Sequence, residues 1–366
     1  MKIKFTKDNI LKSLSSVSNI VSEKHTIPVL ANVLIEATEN KTTLIATDLK
    51  ISVEHGFIAE IVEEGSITVP AKRFISIIKE LPDQIITMSV DKNNHVSILC
   101  GKSNFKIIGI SKDEFPNIPN IIDEEVCLPQ KVIKDLIKKT YYSMSNDSSN
   151  FVLNGLFFSI KGKDIIFVST DRRRLAFAKK EMDAVQKIEK SIVIPAKMVN
   201  ELQRILKDEG DVKIIFGEKE ILFKIDDIKY ISQLLDGQFP NYKQVIPDSE
   251  PICNIEINKE EFYGIVKRAS VLTEKVVSKV RVDIKENKLY FSSKIPELGE
   301  FKEDIDVAYD EEEISIALNP QYILDALKNM EEETLNLKIS KFLEKNVAII
   351  AIADTFMCIV MPMELS

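Results

Sequence analysis

Two acidic residues stand where they could take part in chemistry. Asp48 follows Thr47, and Asp171 follows Thr170, each at the end of a segment that alternates like a strand. Two carboxylates in one site can hold a divalent cation for phosphoryl transfer or nuclease chemistry. A Thr-Asp pair can instead close a turn, because both short side chains hydrogen-bond to nearby backbone groups. The distance between the two pairs in the fold distinguishes these alternatives.

Other signatures of catalysis are missing from the sequence. It contains no GxxxxGK[ST] phosphate loop, no HExxH zinc helix and no GxSxG nucleophile turn. The four cysteines, Cys100, Cys127, Cys253 and Cys358, lack CxxC spacing, which predicts reduced thiols over disulfides or zinc ligands. We therefore expect no cofactor, no metal and no enzymatic activity.

Three short segments of the first third recur in the middle third at a spacing of about 124 residues. Two further segments, Leu318-Asn319-Pro320-Gln321 and Met361-Pro362-Met363, continue the series in the last third. The recurring pairs are Thr47-Asp48 with Thr170-Asp171, Val69-Pro70-Ala71-Lys72 with Ile194-Pro195-Ala196-Lys197, and Phe115-Pro116-Asn117 with Phe239-Pro240-Asn241. The chain therefore reads as three degenerate copies of a unit of about 122 residues, the size of a small domain.

These copies predict domains over residues 1–121, 126–247 and 252–366, joined by proline-bearing acidic linkers at 119–125 and 247–251. Because Asp48 and Asp171 occupy equivalent positions in different copies, they should lie far apart, which favours turns over a shared metal site. Each copy shows two helical patterns among alternating segments, an α+β plan of helices against antiparallel sheet. The predicted helices are 7–21, 71–81, 129–144, 196–207, 258–272 and 320–330.

The N-terminal residues alternate like a strand, and no apolar run approaches the roughly 20 residues of a membrane span. This pattern predicts a cytoplasmic protein. The total charge of the chain is −8, yet the six predicted helices carry about +9 and the remainder about −17. A solvated face on each helix is one explanation. Six helices biased the same way also suit a nucleic acid contacted at its phosphates, without base specificity.

Several motifs in this order and spacing carry a resemblance that covers the whole chain. They are TDxxRLA at 170–176, FPNY at 239–242, VPAKxF at 69–74 and VMPM at 360–363. Together they resemble the bacterial DNA polymerase III beta subunit family, the replicative sliding clamps. The resemblance implies a non-enzymatic homodimer of six domains that closes head to tail around double-stranded DNA and tethers its partners there for processive DNA replication. Those partners are the replicative polymerase alpha subunit, the clamp loader, other polymerases and repair proteins. A scaffold that does not bind DNA is the alternative.

The resemblance also implies three sets of site residues. The first is a pocket for short partner peptides, comprising Leu153, Thr170, Arg172, Arg173, Arg174, Leu175, Pro240, Val245, Asn319, Tyr322, Leu343, Ile359, Val360, Met361, Pro362 and Met363. The second set, which faces DNA, combines family positions with the helix cations: Lys24, Arg73, Lys131, Lys134, Lys138, Lys139, Phe151, Lys197, Arg204, Lys267 and Arg268. The third forms the dimer interface: Lys72, Arg73, Lys102, Phe105, Lys106, Ile107, Val271, Leu272, Glu297, Glu300, Glu303 and Asp304.

Structural alternatives exist for two of these sets. Phe105 and Ile107 alternate to one face and could belong to the core of their own sheet, and residues 359–363 could be the last core strand. The sequence also departs from the family pattern around the pocket. Arg172-Arg173 replace the usual Gly-His, Gln244 replaces a common basic residue, and Glu364 replaces an arginine. These exchanges move charge within the pocket rim and leave the expected ring unaffected.

Overall fold

The computed structural model describes residues 1–21, 27–39, 41–184, 188–247, 250–273, 278–296, 298–342, 345–352 and 355–365. The chain forms two compact units. One contains 1–129 with 210–234, and the other contains 130–209 with 235–366. The middle repeat therefore contributes strands to both units. Within the described residues, no helix has the length and apolar character to cross a membrane.

The described residues form six α-helices, two for each repeat. Their apolar residues recur at helical spacing and are buried, as Phe74 and Ile78 are in the second helix. Asn258 and Asn319 cap the fifth and sixth helices by accepting from backbone N–H groups. The helices are α1 (Lys7–Ser18), α2 (Ala71–Glu80), α3 (Gln130–Thr140), α4 (Ala196–Ile205), α5 (Lys259–Val271) and α6 (Pro320–Lys328).

The strands of the described residues number 25, and the paired ones are all antiparallel. In the first repeat they are β1 (Lys2–Phe5), β2 (Asn32–Thr38), β3 (Lys41–Thr47), β4 (Ile51–Phe57), β5 (Glu60–Glu63), β6 (Gly65–Pro70), β7 (Ile86–Val90), β8 (His95–Cys100) and β9 (Ser103–Ile108). The second repeat has β10 (Glu124–Pro129), β11 (Gly155–Lys161), β12 (Asp164–Thr170), β13 (Arg174–Glu181), β14 (Lys190–Pro195), β15 (Asp211–Phe216), β16 (Glu220–Ile225) and β17 (Ile228–Gln233). The third has β18 (Cys253–Asn258), β19 (Val280–Lys285), β20 (Lys288–Ile295), β21 (Gly299–Asp306), β22 (Ile314–Leu318), β23 (Thr334–Phe342), β24 (Lys345–Ile352) and β25 (Phe356–Val360).

The sheets cross the boundaries between repeats. In the first unit, β17 of the middle repeat pairs with β4 of the first, which makes one eight-stranded sheet in the order β10-β15-β16-β17-β4-β3-β2-β6. In the second unit, β25 pairs with β13 within the order β14-β11-β12-β13-β25-β24-β23-β18. Two smaller sheets have the orders β5-β1-β7-β8-β9 and β21-β20-β19-β22.

The three repeats share one topology. Each has a first meander, β2-β3-β4, β11-β12-β13 or β19-β20-β21, and a second meander, β7-β8-β9, β15-β16-β17 or β23-β24-β25. At both internal boundaries, the last strand of a second meander pairs with the last strand of the preceding repeat's first meander. The two strands left over from this scheme are β9 and β21, and each lies at an edge of its sheet among the described strands.

The helices pack on one face of these sheets. In the first repeat α1 packs on β3, β4 and α2; in the second, α3 packs on β12, β13 and α4; in the third, α5 packs on β20 and α6. The side chains that fill these layers are fully buried, including Leu14, Leu136 and Ile265. The α+β plan predicted from the sequence is therefore confirmed for all three repeats.

The helix boundaries agree with the predicted ranges except near some ends. α1 ends at Ser18, and Thr6 occupies its N-cap position without a capping hydrogen bond from its side chain. The helix predicted over 129–144 stops at Thr140 and continues as a 3₁₀ turn, Tyr141–Ser143. The predicted linker 119–125 was wrong at its end, because Glu124 and Glu125 begin β10 and pair with Phe216 and Ile215.

A partly buried carboxylate, Glu54, forms ion pairs at the first internal boundary. The Lys229 Nζ of β17 lies 3.1 Å from Glu54 Oε2 of β4, and Lys41 Nζ lies 2.7 Å from Glu54 Oε1. Burial of the Glu54 carboxyl opposes its charged form, but the two ammonium groups outweigh burial and hold its pKa below the ordinary value of 4.5. These ion pairs therefore stabilise the fold at pH values at which the Glu54 carboxyl is ionised.

We expect Glu54→Gln to lower the free energy of unfolding by about 1 kcal/mol at neutral pH. Because the folded pKa lies below 4.5, this stabilisation is complete above that pH and is lost as the pH falls through the folded pKa. Urea titrations at neutral and acidic pH measure the difference. Glu60→Gln, which removes an exposed pair with Lys4, is the control. A deficit of equal size at both pH values would contradict the assignment.

Candidate partner pocket, helix cations and edge strands

Both Thr-Asp pairs form the same turn. The Asp171 Oδ1 atom accepts from the backbone N–H groups of Arg173 and Arg174 at 2.9 and 3.0 Å, and the Thr170 hydroxyl donates to the Arg174 carbonyl at 2.7 Å. Asp48 Oδ1 likewise accepts from two backbone N–H groups, at 3.0 and 2.7 Å. The residue after each aspartate has a positive φ, 74° at Leu49 and 72° at Arg172.

The carboxylates are therefore used by their own turns, which is the alternative that the repeat favoured. Among the described residues, no group of three or more His, Cys, Asp or Glu side chains is placed to hold a metal. The four cysteines are free thiols, and burial raises the pKa of Cys253 and Cys358 to about 12. Both thiols stay protonated and unreactive at neutral pH.

Apolar side chains from the second and third repeats meet on the face of the second-unit sheet opposite the helices. Leu175 pairs with Ile359, which pairs with Ile349, so that one row of side chains crosses the boundary between β13 and β25. We call the surrounding group the junction cluster. Its buried members are Leu153, Val168, Leu175, Phe177, Val193, Phe239, Tyr242, Val347, Ile349, Ala351 and Ile359. Half-buried residues that pack against it include Val152, Phe157, Val245, Ile246, Met357 and Met361.

The C-terminal segment is fixed at both ends beside this cluster. The Met361 N–H donates to the Arg173 carbonyl at 2.9 Å, and the Met363 N–H donates to the Ala317 carbonyl at 2.8 Å. Met361, Pro362 and Met363 remain half-buried. The Thr170 turn thus holds the start of the segment, while β22 holds its end. Flexible methionine side chains kept partly exposed in this way suit ligands of varied shape.

Arg174 lies on the opposite face of β13 and connects the turn to α6. Its Nε atom is 3.1 Å from Asp171 Oδ2, and its Nη1 atom is 2.6 Å from Asp325 Oδ2. The guanidinium lies 4.5 Å from the centre of the Tyr322 ring, a cation–π contact. Burial disfavours the charged form, but the two aspartates outweigh it and raise the Arg174 pKa. Arg174 therefore positions the turn.

The structure brings five predicted pocket residues into or against the junction cluster: Leu153, Leu175, Val245, Ile359 and Met361. Thr170 closes its own turn, Asn319 caps α6 and Arg174 connects the turn to α6. Val360 is buried on the opposite face of the sheet. The exposed residues are Arg172, Arg173 and Pro240. Leu343 lies outside the described residues. The prediction missed Phe157, Phe177 and Tyr242; within the cluster the Tyr242 ring packs against the other two rings in tilted contacts. The sequence signal for Tyr242 is its position directly after the recurring Phe-Pro-Asn segment. The signal for Phe157 and Phe177 is the alternation of side chains along their strands.

The helix cations differ in their surroundings. Three lysines of α3 are paired with carboxylates that lie beyond the ends of other helices. Arg204 pairs with Glu201 and Arg268 with Glu303. Arg73, Lys131, Lys197 and Lys267 are exposed, and Lys267 lies over the Tyr263 ring. Phe151 is exposed in a 3₁₀ segment. Lys24 lies outside the described residues.

Exposed apolar groups lie on the edge strand β9 and at the end of α5. Phe105 and Ile107 on β9 stand opposite the buried Ile98 and Val96, so both face the core side of their sheet, yet Phe105 remains 39% exposed. Val271, at the end of α5 in the third repeat, is 76% exposed. Lys72, Lys102, Lys106 and Glu300 are exposed, and Leu272 is half-buried. Within the chain, Glu303 pairs with Arg268 and Asp304 with Lys288. Glu297 lies outside the described residues.

Comparison with family models covers nearly all of the sequence. Residues 1–119 match the N-terminal domain of the DNA polymerase III beta subunit, residues 127–241 its central domain and residues 243–364 its C-terminal domain.

Curated relatives and solved structures match at full or nearly full length. The beta sliding clamp of Vibrio cholerae is 30% identical over 368 residues, which cover 100% of both chains, and that of Staphylococcus aureus is 30% identical over 92% of both. The DNA polymerase sliding clamp of Bacillus subtilis is 29% identical, with a TM-score of 0.94 over 100% of both chains. The DNA polymerase III subunit beta of Pseudomonas aeruginosa is 26% identical, with the same score and coverage. A threefold α+β fold matched from end to end leaves one conclusion: the chain belongs to the DNA polymerase III beta subunit family, the beta sliding clamps.

Proposed function

We propose that this protein is a DNA sliding clamp, a ring of two head-to-tail copies that encloses duplex DNA and tethers the replicative polymerase. The protein acts as a tether and catalyses no reaction. Its three repeats correspond to domains 1–121, 126–247 and 252–366. The observation that carries the proposal is the strand scheme at the repeat boundaries.

Two equivalent strands are left at sheet edges. Both internal boundaries pair the last strand of a second meander with the last strand of a first meander, and β9 and β21 are the remaining strands of these two types. A second copy placed head to tail supplies β21 to β9 and β9 to β21. Every repeat boundary in the dimer is then of one kind, and the exposed edges are removed.

The exposed side chains at these edges suit such pairing. Phe105 and Ile107 on β9 supply an apolar contact for Val271 and Leu272 at the end of α5. Lys102 and Lys106 add positive charge, while Glu300 on β21 adds negative charge. Glu300, Glu303 and Asp304 have intrachain partners, Lys302, Arg268 and Lys288. Each would exchange that partner for a lysine of the second copy in the proposed interface.

Ring size agrees with two copies. Helices about 10 Å wide placed side by side give a circumference of about 60 Å for six and about 120 Å for twelve. Only twelve leave a bore near 28 Å, enough for a B-form duplex with a layer of water. Contacts through water and diffuse charge provide no deep energy minimum at any base pair, which is what sliding requires. Residence on DNA then comes from enclosure.

The junction cluster and the C-terminal segment form the docking site for partners. Main-chain groups hold the segment beside Leu175 and Ile359, and the half-buried methionines adapt to different peptides. We propose that short extended segments of the polymerase alpha subunit, the clamp loader, other polymerases and repair proteins bind there. Exposed Arg172 and Arg173 favour acidic residues next to the apolar part of such segments.

Retention on DNA tests the ring. The wild-type protein, once loaded, should stay on circular DNA and leave a linear duplex through its ends. Phe105→Arg should place a charge in the interface, give monomers by light scattering and abolish retention. Ile58→Arg, at a residue of the same repeat that is 76% exposed outside β9, is the matched control. Equal retention on circular and linear DNA would exclude enclosure, and an unchanged mass for Phe105→Arg would exclude this interface.

Partner docking is tested at the C-terminal segment. Deleting residues 361–366 should abolish binding of a peptide from the polymerase alpha subunit and leave the dimer intact, because the proposed pairing of β9 with β21 uses main-chain groups outside this segment. Met361→Ala should weaken the affinity for the peptide by about 5- to 30-fold, because an apolar contact is lost. Glu364→Gln, an exposed neighbour, should have little effect. Calorimetric titration gives the affinities; peptide binding retained by the truncated chain would place the site elsewhere.

The proposed contact between the helix cations and DNA phosphates is tested by replacing two exposed lysines. Lys131→Gln with Lys267→Gln should weaken binding to short duplexes of every sequence and reduce the slope of log K against log salt by about 1 to 2. Lys161→Gln with Lys163→Gln, at two exposed residues where β11 turns into β12, makes the same change in net charge and is the control. A loss confined to A·T-rich or G·C-rich duplexes would contradict phosphate recognition.

A further inference from the structure

Three of the four lysines of α3 are held by carboxylates of their own chain. Lys134 Nζ lies 2.8 Å from Asp208 Oδ1, Lys138 Nζ lies 2.8 Å from Glu331 Oε1, and Lys139 Nζ lies 2.8 Å from Glu332 Oε1. Lys131, Lys134 and Lys138 recur at helical spacing and so share one face of the helix. The main basic face of the chain is thus largely neutralised before any ligand arrives.

These pairs are not neighbours along one helix. Asp208 lies just beyond the end of α4, and Glu331 and Glu332 lie just beyond the end of α6, 193 residues from their lysines. Two separate helix ends therefore converge on a third helix within one unit. By contrast, Arg73 and Lys79 on α2 form no ion pair with another residue that the structure describes.

The three carboxylates are anions at neutral pH. The hydrogen bond from Lys134 lowers the pKa of Asp208, and that from Lys138 lowers the pKa of Glu331. Burial opposes ionisation of Glu332, but the hydrogen bond and charge of Lys139 and the backbone hydrogen bonds of Glu331 and Glu332 together outweigh it and lower the pKa of that carboxyl too. Each carboxylate presents an anionic oxygen to its lysine, the same chemistry that a DNA phosphate offers.

We propose that Asp208, Glu331 and Glu332 act as an acidic brake on DNA binding: they neutralise Lys134, Lys138 and Lys139 of α3, so that a phosphate competes with a protein carboxylate for each of these lysines. The brake rests on the proposed function, in which α3 faces the duplex. Exchange of one anion for another gains little free energy. The contact stays weak and easily broken, and the ring moves along DNA without being held by its most basic helix.

The double variant Glu331→Gln/Glu332→Gln tests the brake, because it keeps the shape of both side chains and removes their charge. We expect binding to a short linear duplex at low salt to tighten by about three- to tenfold. The slope of log K against log salt should steepen by about 1 to 2, because the released lysines now replace counterions on phosphates. Adding Lys138→Gln/Lys139→Gln to this variant should remove both gains.

The control is Glu60→Gln/Glu63→Gln on β5, which makes the same change in net charge in the first repeat. Equal tightening in this control would mean that total charge matters and would overturn the brake, as would an unchanged affinity and slope in the test variant. A structural role for the pairs would appear as lower stability in urea with no change in the salt slope. Wild-type retention on circular DNA reports on the ring separately, so a failure of the brake alone leaves the proposed function standing.

Discussion

Main-chain pairing between repeats is the interaction on which the rest of the structure depends. β17 joins β4, and β25 joins β13, through antiparallel hydrogen bonds that belong to neither repeat alone. Such bonds demand a fixed register, since a shift of one residue would turn every apolar side chain to the opposite face. Side chains on both sides are fitted to that register, as the Glu54–Lys229 pair shows at the first boundary. The register between neighbouring repeats within each unit is therefore set by main-chain hydrogen bonds.

The sequence predicted the features that are local. Helical spacing located all six described helices, and the repeated Thr-Asp pairs identified turns whose hydrogen bonds agree almost atom for atom. The prediction missed Glu124 and Glu125 as the start of β10 because their partners in β15 lie about 90 residues further along the chain. An acidic segment that contains proline also lacks the residue pattern of a strand. Strand propensity depends on what a segment pairs with.

The charge of α3 also depends on partners that are distant in the sequence. The lysines counted along α3 predict a strongly basic surface, but Glu331 and Glu332, which follow α6 in the next repeat, pair with two of them. Periodicity gives the side of the helix on which a lysine lies and says nothing of what faces it. The strength of a DNA contact therefore depends on tertiary pairing, while its lack of base specificity already follows from the kind of residues involved.

The two internal boundaries share one backbone path and differ in the polarity of their side chains. Gln233 donates its N–H to the Lys50 carbonyl at 2.9 Å, as Met361 does to Arg173 at 2.9 Å, so the two chain paths are equivalent. A cleft of about 420 Å³ at the first boundary includes Ser52 and Gln233 in its wall. Their counterparts at the second boundary, by strand register, are Leu175 and Met361. Ser52 and Gln233 place a hydroxyl and an amide where Leu175 and Met361 place an aliphatic and a thioether group. The apolar character of the second boundary therefore results from these side-chain exchanges on a shared scaffold.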